Sequence, residues 1–555
     1  MTASRTAATE STLMRIPSLA AALVSPLLLI ACSKAPEAPP AAAVPRAEPV
    51  AAPAHATAEH ATVEHAIAWE LSDVDAAFAK AKAENKPLFL YWGAVWCPPC
   101  NEVKANLFTR QDFIARSRNF VPVYVDGDAK GAQKLGARFN VSEYPTMVLF
   151  TPEGHEITRL PGEVEPDRYM QVLALGMNGA RPVKETLTTA LATGDAHTKL
   201  RPEDWRMLAW YSWETDESQA LPEDKRPATL QSLAKACPAD QPQLAKRLSL
   251  QAMVAAAKAK NAKPRNDKAA VDMLLPLLAD ATFARENFDV FVYYADDIAG
   301  FVTLPKTAER VRLVDAWNAM LEKFAADPGL SQQDRLTALT AQVALAKLDA
   351  PKGPLPDALQ KRIRDEAARV DRETSDPYAR QAVISDAAEL LADAGLLAES
   401  DTLLTAELSR SHSPYYFMLG LADNAKKRGD KAAAVDWAEK AYAASKGPAT
   451  RLQWGSKYVA LLVELTPQDA ARIEKAAAQV IGELEATPET FYERNQRALE
   501  RVGKNLAKWN RGNAHADAVR RLTADMAGVC AKVPAGDPAR ATCDRMLKPR
   551  SAASA

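Results

Sequence analysis

Between residues 67 and 180, short continuous apolar runs alternate with helical spacings. The run at 88–92 is apolar throughout, which is typical of a strand buried on both faces. Similar runs, bounded by turn signals, predict strands at 88–92, 121–125, 146–150 and 156–160. The stretches between and around them predict helices at 72–84, 98–107, 131–139 and 166–177. This order predicts an α/β domain with a central sheet over residues 67–180.

From residue 181 to the end, amphipathic stretches follow one another, separated by Pro, Gly or Asp. An offset of 34 residues relates Gly395 to Gly429 and Pro414 to Pro448, and this period resembles that of tetratricopeptide repeats. We therefore predict an all-α helical-repeat domain over residues 181–555, with a concave surface for a client or partner protein. Two aromatic clusters are predicted to be core rather than surface. They are Trp205, Trp210, Tyr211 and Trp213, and Phe288, Phe291, Tyr293 and Tyr294.

Residues 1–31 have the pattern of an export signal. Arg5 and Arg15 precede an apolar stretch shorter than the roughly 20 residues that span a bilayer. The stretch ends Leu-Ile-Ala-Cys and resembles the signal of bacterial lipoproteins, which is cut before an acylated cysteine. The resemblance implies lipidation of Cys32 and anchoring on the periplasmic side of a Gram-negative envelope. Ser33 favours the outer membrane over the inner one; the alternative is a plain signal peptide with an incidental cysteine.

Residues 32–66 are rich in Ala and Pro, with scattered Glu and His. Such a segment has too few large apolar side chains to offset the entropy of an ordered chain, so we predict a disordered tether. His55, His60 and His65 recur at every fifth position, which raises the question of a metal site. This spacing does not place neighbouring histidines on one helix face, and we therefore interpret the segment as a solvated linker.

The Trp-Cys-Pro-Pro-Cys motif at residues 96–100 is the main candidate for chemistry. Cys97 stands at the start of a predicted helix, where unpaired N–H groups and the positive end of the dipole favour a thiolate. Cys100 follows three residues later on the same helix face, within reach of Cys97. We therefore predict that Cys97 is the nucleophile and Cys100 the resolving residue of a redox disulfide. This role requires the sulfur of Cys97 to be open to solvent.

Three features together resemble the thioredoxin family: a strand, Trp-Cys-x-x-Cys opening a helix, and Tyr144-Pro145 just before a later strand. The resemblance implies a thioredoxin-like domain over residues 67–180 and a cis peptide bond before Pro145. It also implies substrate-binding roles. Tyr144 would offer its backbone to an extended substrate peptide, and Trp96 would shield one side of the site.

Two positions depart from the family pattern. Many thioredoxins place a buried carboxylate six residues before the first cysteine, where this chain has Tyr91. Glu102 is a candidate replacement, and the alternative is an ordinary exposed helix residue. No histidine lies between the two cysteines, as it does in strongly oxidising members, so we expect a less oxidising pair. These departures favour a reductase or isomerase of protein disulfides.

Three further cysteines lie in the predicted helical domain. In an oxidising compartment Cys530 and Cys543 could form a structural disulfide across a short loop. Cys237 then remains as a buried free thiol. A metal site at the Cys-x-x-Cys motif would need more ligands, and no second Cys/His pair occurs at ligand spacing in residues 67–180.

The chain has 69 Lys+Arg and 70 Asp+Glu, a net charge of −1, which argues against nucleic acid as a partner. The sequence thus predicts a membrane-tethered thiol–disulfide oxidoreductase without metal or cofactor. Its partners would be protein disulfide or dithiol clients and an envelope electron donor or acceptor protein. Two alternatives remain: an envelope scaffold or adaptor in which the thioredoxin-like unit is structural or regulatory, and a metal chaperone.

Overall fold

The computed structural model describes residues 66–71, 73–160, 166–178, 181–192, 200–216 and 219–547. The expectations for the export signal, for lipidation of Cys32 and for nearly all of the tether lie outside these residues. None of the described helices is both long enough and apolar enough to cross a membrane.

The first part of the described chain is built on a five-stranded mixed sheet. Its strands are β1 Glu70–Leu71, β2 Leu88–Gly93, β3 Val121–Asp126, β4 Thr146–Phe150 and β5 Glu156–Leu160. The order across the sheet is β1-β3-β2-β4-β5, with β1, β3 and β2 parallel and β4 and β5 antiparallel to their neighbours. All six residues of β2 are buried, as expected for the central strand. The predicted α/β domain is confirmed.

Five helices surround this sheet: α1 Val74–Glu84, α2 Pro98–Val103, α3 Gln111–Ser117, α4 Ala132–Phe139 and α5 Pro166–Met177. The carboxylate of Asp73 caps α1 by accepting a hydrogen bond from the N–H of Ala76 at 2.9 Å. A π-helical turn, Lys104–Phe108, extends α2. Because only four residues separate the end of β2 from the start of α2, the N-terminus of α2 lies at the C-terminal end of the central strand.

The rest of the described chain is helix-rich. Its α-helices are α6 Val183–Ala190, α7 Pro202–Trp210, α8 Arg226–Ala236, α9 Pro242–Ala257, α10 Lys268–Ala279, α11 Ala281–Glu286, α12 Phe288–Tyr293, α13 Ala295–Val302, α14 Ala308–Ala325, α15 Gln332–Lys347, α16 Asp357–Glu373, α17 Pro377–Asp393, α18 Leu397–Glu407, α19 Pro414–Arg428, α20 Lys431–Ala444, α21 Pro448–Leu465, α22 Ala470–Gly482, α23 Glu493–Trp509, α24 Ala516–Ala531 and α25 Pro538–Arg545. Short 3₁₀ turns lie at Glu223–Lys225, Pro488–Phe491 and Arg511–Asn513. Gly395 and Gly429 follow helices with φ of 82° and 83°, a conformation that favours glycine. Assignment to tetratricopeptide repeats stays a prediction.

The helical region contacts the α/β domain in two places. The first, here called the near contact, joins α6, α7 and residues 211–216 and 219–221 to α5 and β5. Tyr169 and Leu173 of α5 share one hydrophobic core with Trp205 and Leu208 of α7. The core therefore continues without a break from the α/β domain into the first helices that follow it.

The second, here called the far contact, joins α17, α19, α21 and α23 to the loop before α2 and to α4. The side chains of Trp96 and Thr450 are hydrogen-bonded although 354 residues separate them in the chain. Trp96, Cys97 and Cys100 belong to the same buried cluster as Tyr415 and Trp454 of the helical region. The chain thus returns to the α/β domain at the Cys-x-x-Cys motif.

Candidate redox site

Cys97 is positioned by the junction of the central strand and α2. It is the N-cap residue of α2, and its Sγ accepts a hydrogen bond from the N–H of Cys100 at 3.2 Å. Pro98 and Pro99 fill the first two helical positions, where a missing N–H leaves no intrahelical bond unmade. Cys97 and Cys100 form a disulfide, with their Cα atoms 5.2 Å apart. The N–H of Cys100 and the positive end of the helix dipole favour negative charge on the Cys97 sulfur when the pair is reduced.

Asn101 fixes the loop before α2, a role that the sequence analysis missed. Its side-chain amide donates to the carbonyl oxygens of Val95 at 2.9 Å and Cys97 at 2.8 Å. The bond to Cys97 is buried and the bond to Val95 is partly buried, so water competes little for the Cys97 carbonyl. The available signal was a short amide side chain four residues after the first cysteine, on the buried face of α2.

The Tyr144–Pro145 peptide bond is cis, and it lies beside the cysteine pair. The carbonyl oxygen of Tyr144 is 3.6 Å from the Sγ of Cys97. Burial raises the pKa of the Tyr144 phenol, and its hydroxyl accepts a hydrogen bond from Gln133 Nε2 at 2.9 Å. A side chain at Gly127 would collide with this hydroxyl, so only glycine allows Tyr144 its position.

The position six residues before Cys97 is occupied by a buried phenol. The hydroxyl of Tyr91 donates to the backbone carbonyl of Cys100 at 3.4 Å. Tyr91 therefore supports the backbone of α2, whereas a carboxylate at this place would accept the proton of the resolving thiol. Glu102 lies half-buried on α2, and its proposed replacement role stays a prediction.

Trp96 faces the helical region. Its indole Nε1 donates to Thr450 Oγ1 at 2.7 Å, and its ring lies edge-on to Trp454 at a centroid distance of 4.8 Å. The ring of Tyr416 stacks on it at 6.1 Å. In this structure, residues of α19 and α21 pack against Trp96, which was expected to shield one side of the site.

Side chains of the helical region also donate hydrogen bonds to backbone carbonyls of residues 94–97, here called the redox loop. His412 Nε2 donates to the carbonyl of Val95 at 3.0 Å, and Gln381 Nε2 donates to that of Trp96 at 3.3 Å. Because Val95 offers only an acceptor, His412 carries its proton on Nε2. Burial lowers the pKa of this imidazole, which favours the neutral ring.

The cysteine pair is therefore covered. Cys97 is 2% exposed and Cys100 is 0% exposed. The expectation that the sulfur of Cys97 is open to solvent is wrong for this structure, because the far contact places helices over the loop that carries it. Sequence reasoning missed this feature since the covering residues lie hundreds of positions away and carry no motif.

Two arginines of α23 hold the cover against the loop before Pro145. Arg494 Nη1 and Arg497 Nη2 donate to the carbonyl of Ser142 at 3.3 and 2.7 Å. The guanidinium of Arg494 lies 4.5 Å from the centre of the Tyr144 ring. Burial and the nearby Arg497 lower the pKa of Arg494, so the closed arrangement carries an electrostatic cost.

The other three described cysteines take no part in this disulfide. Cys530 and Cys543 form a disulfide that joins α24 to α25, with Cα atoms 5.6 Å apart. Cys237 is a half-buried free thiol, and burial raises its pKa to about 11, which disfavours the reactive thiolate. Among the described residues, no cluster of three His, Cys, Asp or Glu side chains could hold a metal ion.

Comparison with known proteins supports the same chemistry. Residues 74–176 match a family model described as a thioredoxin-like domain. The chain is 28% identical over 103 residues to the thiol:disulfide interchange protein DsbD 2 of Pseudomonas aeruginosa, covering 18% of each protein. It is 31% identical over 97 residues to DsbD of Yersinia pestis, covering 17% of this chain and 16% of the relative. DsbD of Ralstonia nicotianae is 30% identical over 117 residues, or 20% of this chain and 19% of the relative.

The chain therefore spans less than a fifth of the length of these curated relatives. The similarity is confined to a stretch of the size of the α/β domain. A thioredoxin-like domain with a redox-type Cys-x-x-Cys pair, similar to thiol:disulfide interchange proteins, supports thiol–disulfide oxidoreductase activity.

Proposed function

We propose that this chain is a membrane-tethered thiol–disulfide oxidoreductase that reduces or isomerises protein disulfides in the cell envelope. The observation that carries the proposal is the bonded Cys97–Cys100 pair at the N-terminus of α2, beside the cis Tyr144–Pro145 bond. The helical region would select or position the client protein. No cofactor takes part, because the two cysteines hold the exchanged electrons.

The first step is attack on the client. The thiolate of reduced Cys97 attacks one sulfur of a client disulfide, forms a mixed disulfide and expels the other client sulfur as a thiolate. The N–H of Cys100 and the dipole of α2 stabilise the attacking thiolate. The carbonyl and N–H groups flanking the cis bond are placed to bind the client backbone next to that sulfur.

The second step releases the client. The thiolate of Cys100 attacks the Sγ of Cys97, forms the intramolecular disulfide and expels the second client sulfur. Two electrons have then passed from the cysteine pair to the client, whose sulfurs take up two protons. A dithiol protein of the envelope would reduce Cys97–Cys100 again. In an isomerase, another thiolate of the client attacks the client sulfur of the mixed disulfide, forms a new client disulfide and expels the Cys97 thiolate, so no external donor is consumed.

Single cysteine variants test the mechanism. In Cys97→Ser the first attack is lost, so turnover should fall to the level without enzyme. In Cys100→Ser the mixed disulfide cannot be resolved and should accumulate in cells as adducts that a reductant releases on gels. Cys237→Ser is the matched control and should behave as wild type, because that thiol is half-buried and its raised pKa disfavours the thiolate. A Cys100→Ser chain that traps no adducts would contradict the proposal.

Membrane attachment is a separate part of the proposal. The lipoprotein-like signal and Cys32 support anchoring through acyl chains on the periplasmic side, more in keeping with the outer membrane than with the inner one. Cys32→Ser should then lose incorporation of labelled palmitate and leave the membrane fraction. An unchanged membrane fraction in this variant would contradict the anchor.

The covered pair favours a second candidate function. With Cys97 only 2% exposed, the thioredoxin-like unit could serve as a structural or regulatory part of an envelope scaffold or adaptor. A double variant, Cys97→Ala with Cys100→Ala, separates the two. A scaffold keeps its partners and its wild-type phenotype in that variant, whereas an oxidoreductase loses its phenotype.

A further inference from the structure

The geometry points to a gate: we propose that the helical face of the far contact closes over the redox pair and must separate from residues 94–97 before a protein disulfide can reach Cys97. The inference deepens the proposed function and rests on it in one respect, that Cys97 is the reacting sulfur.

The closed arrangement occupies the groups that a client would need. A client sulfur has to touch the Sγ of Cys97, which belongs to a residue with 2% exposure. The neighbouring carbonyls of Val95 and Trp96 already accept hydrogen bonds from His412 and Gln381. A client therefore competes with the helical region for one surface, and both cannot be bound at once.

The two contacts differ in which of their interactions water can replace when they open. The near contact is an uninterrupted apolar core around Trp205 and Leu173, and opening it would expose that core to water. The far contact buries a smaller aromatic group around Trp96 and Trp454, and it adds hydrogen bonds with Thr450 and Gln381 that water can remake on both sides after separation. The far contact should open first, with the near contact kept as the pivot.

Closure also removes two charged side chains from water. Arg494 is buried, its pKa is lowered, and its Nε has no hydrogen-bond partner among the described residues. Burial likewise raises the pKa of Asp128. Both side chains regain hydration when the contact opens, which reduces the free-energy difference between the closed and open states.

Asp128 supplies the latch that offsets these costs. Its carboxylate accepts hydrogen bonds from the Thr450 N–H at 2.8 Å and from Thr450 Oγ1 at 2.5 Å. Thr450 lies in the first turn of α21, whose own N-cap, Gly447, has no side chain to cap the helix. Asp128 therefore caps a helix 322 residues away in the chain, and Thr450 links it to Trp96.

Gly447 fits this latch for two reasons. Its φ of 85° is strained for other residues, and an added Cβ would collide with the carboxylate of Asp128. The close approach of Asp128 to the start of α21 therefore depends on a residue without a side chain at position 447.

Reduction of the two disulfides in the full chain tests the gate. The oxidised protein is mixed with dithiothreitol, whose thiolate attacks Cys97 and displaces Cys100; samples are quenched, alkylated and read by mass spectrometry. We expect Asp128→Ala to speed reduction of Cys97–Cys100 about fivefold to tenfold, the scale of a lost helix cap. Thr450→Val, which keeps its N–H bond to Asp128, should give a smaller increase.

Two controls make the result specific. Asp267→Ala removes a capping carboxylate of similar geometry, bonded to the N–H of Ala270 at 3.0 Å, and should leave the rate unchanged. In every variant the Cys530–Cys543 bond should be reduced at the wild-type rate. If Asp128→Ala fails to fold, Thr450→Val decides.

Equal Cys97–Cys100 reduction rates in wild type, the latch variant that folds and the Asp267→Ala control would overturn the gate. This outcome is independent of client turnover. If Asp128→Ala speeds reduction of Cys97–Cys100 but Cys100→Ser traps no client, the gate is supported and the proposed function is contradicted. If Cys100→Ser traps clients but the latch variants leave the reduction rate unchanged, the proposed function is supported and the gate is contradicted.

Discussion

The near and far contacts join the same two parts of the molecule by different means. The near contact is an apolar core with a buried ionic cluster at its edge, formed by residues close to the α/β domain in the chain. The far contact combines an aromatic cluster around Trp96 and Trp454 with many polar side chains, and it is formed by segments more than 280 residues from the redox loop. One contact is suited to permanence and the other to exchange with solvent or with a client, although both exclude water in this structure.

The largest effect should come from the apolar core of the near contact. Trp205 is 0% exposed, and Trp205→Ala should lower the free energy of unfolding by about 3–5 kcal/mol. The measurement is the urea midpoint followed by circular dichroism. Trp437→Ala is the matched control, because Trp437 is half-buried on α20 beneath Lys440 and should cost less. Equal losses would show that Trp205 contributes no more than a half-buried tryptophan outside both contacts, and would contradict a tightly packed core at the near contact.

The next effect should come from the ionic cluster of the near contact. Arg159 is fully buried, bonds Glu156 at 3.0 Å and donates to the carbonyl of Thr215 at 3.1 Å. Arg159→Met would leave the Glu156 carboxylate buried without its cation, at a cost of about 3 kcal/mol in the same unfolding measurement. Adding Glu156→Gln should restore part of the loss. A double variant no more stable than the single one would contradict this account.

These two contacts also mark how far sequence reasoning reached. The strands expected at 146–150 and 156–160 coincide with β4 and β5, because continuous apolar runs between turns are a local signal. The aromatic cluster around Trp205 was correctly predicted to be core. The helix-rich character of the remainder was equally readable from its periodicity.

The far contact had no such signal. Asp128, Gln381 and Thr450 are ordinary polar residues in their local sequence, and their pairing with the redox loop arises only when the helical region returns to it. Cys97 was therefore placed correctly at the start of α2 but wrongly expected to be open to solvent. Local spacing predicts the orientation of a side chain on its own helix, not what a distant segment places over it.

A third prediction concerns α17, which contributes to the far contact. Burial and the neighbouring Glu389 raise the pKa of the Asp386 carboxyl from 3.8 to about 7. The folded chain then holds a proton that the unfolded chain has lost, so stability should be greatest below pH 4 for this group and should fall as pH rises towards 7. We expect a loss of about 2 kcal/mol between pH 5 and pH 8, less than the full shift implies because the residue is only half-buried.

Asp386→Asn isolates that contribution. The amide does not titrate, so the unfolding free energy of the variant should change less between pH 5 and pH 8 than that of wild type. The measurement is a series of urea titrations across this range. Identical pH profiles for the two chains would exclude Asp386 as the source of the dependence.

The smallest effect on stability should come from the latch. Thr450→Val removes the hydroxyl that joins Trp96 to Asp128, yet water can replace these bonds once the contact loosens. We expect a loss of at most about 1 kcal/mol in the urea titration. Thr337→Val, which removes a hydroxyl bonded to the carbonyl of Gln333 within α15, sets the baseline for this substitution.

The stability loss in Thr450→Val is to be compared with the loss in Trp205→Ala. A latch variant that is nearly as stable as the Thr337→Val chain would mean that the far contact can open while the near contact and both folded parts persist. A loss as large as that of Trp205→Ala would mean that the far contact is a structural core, and that Cys97 is reached only when the fold itself is lost.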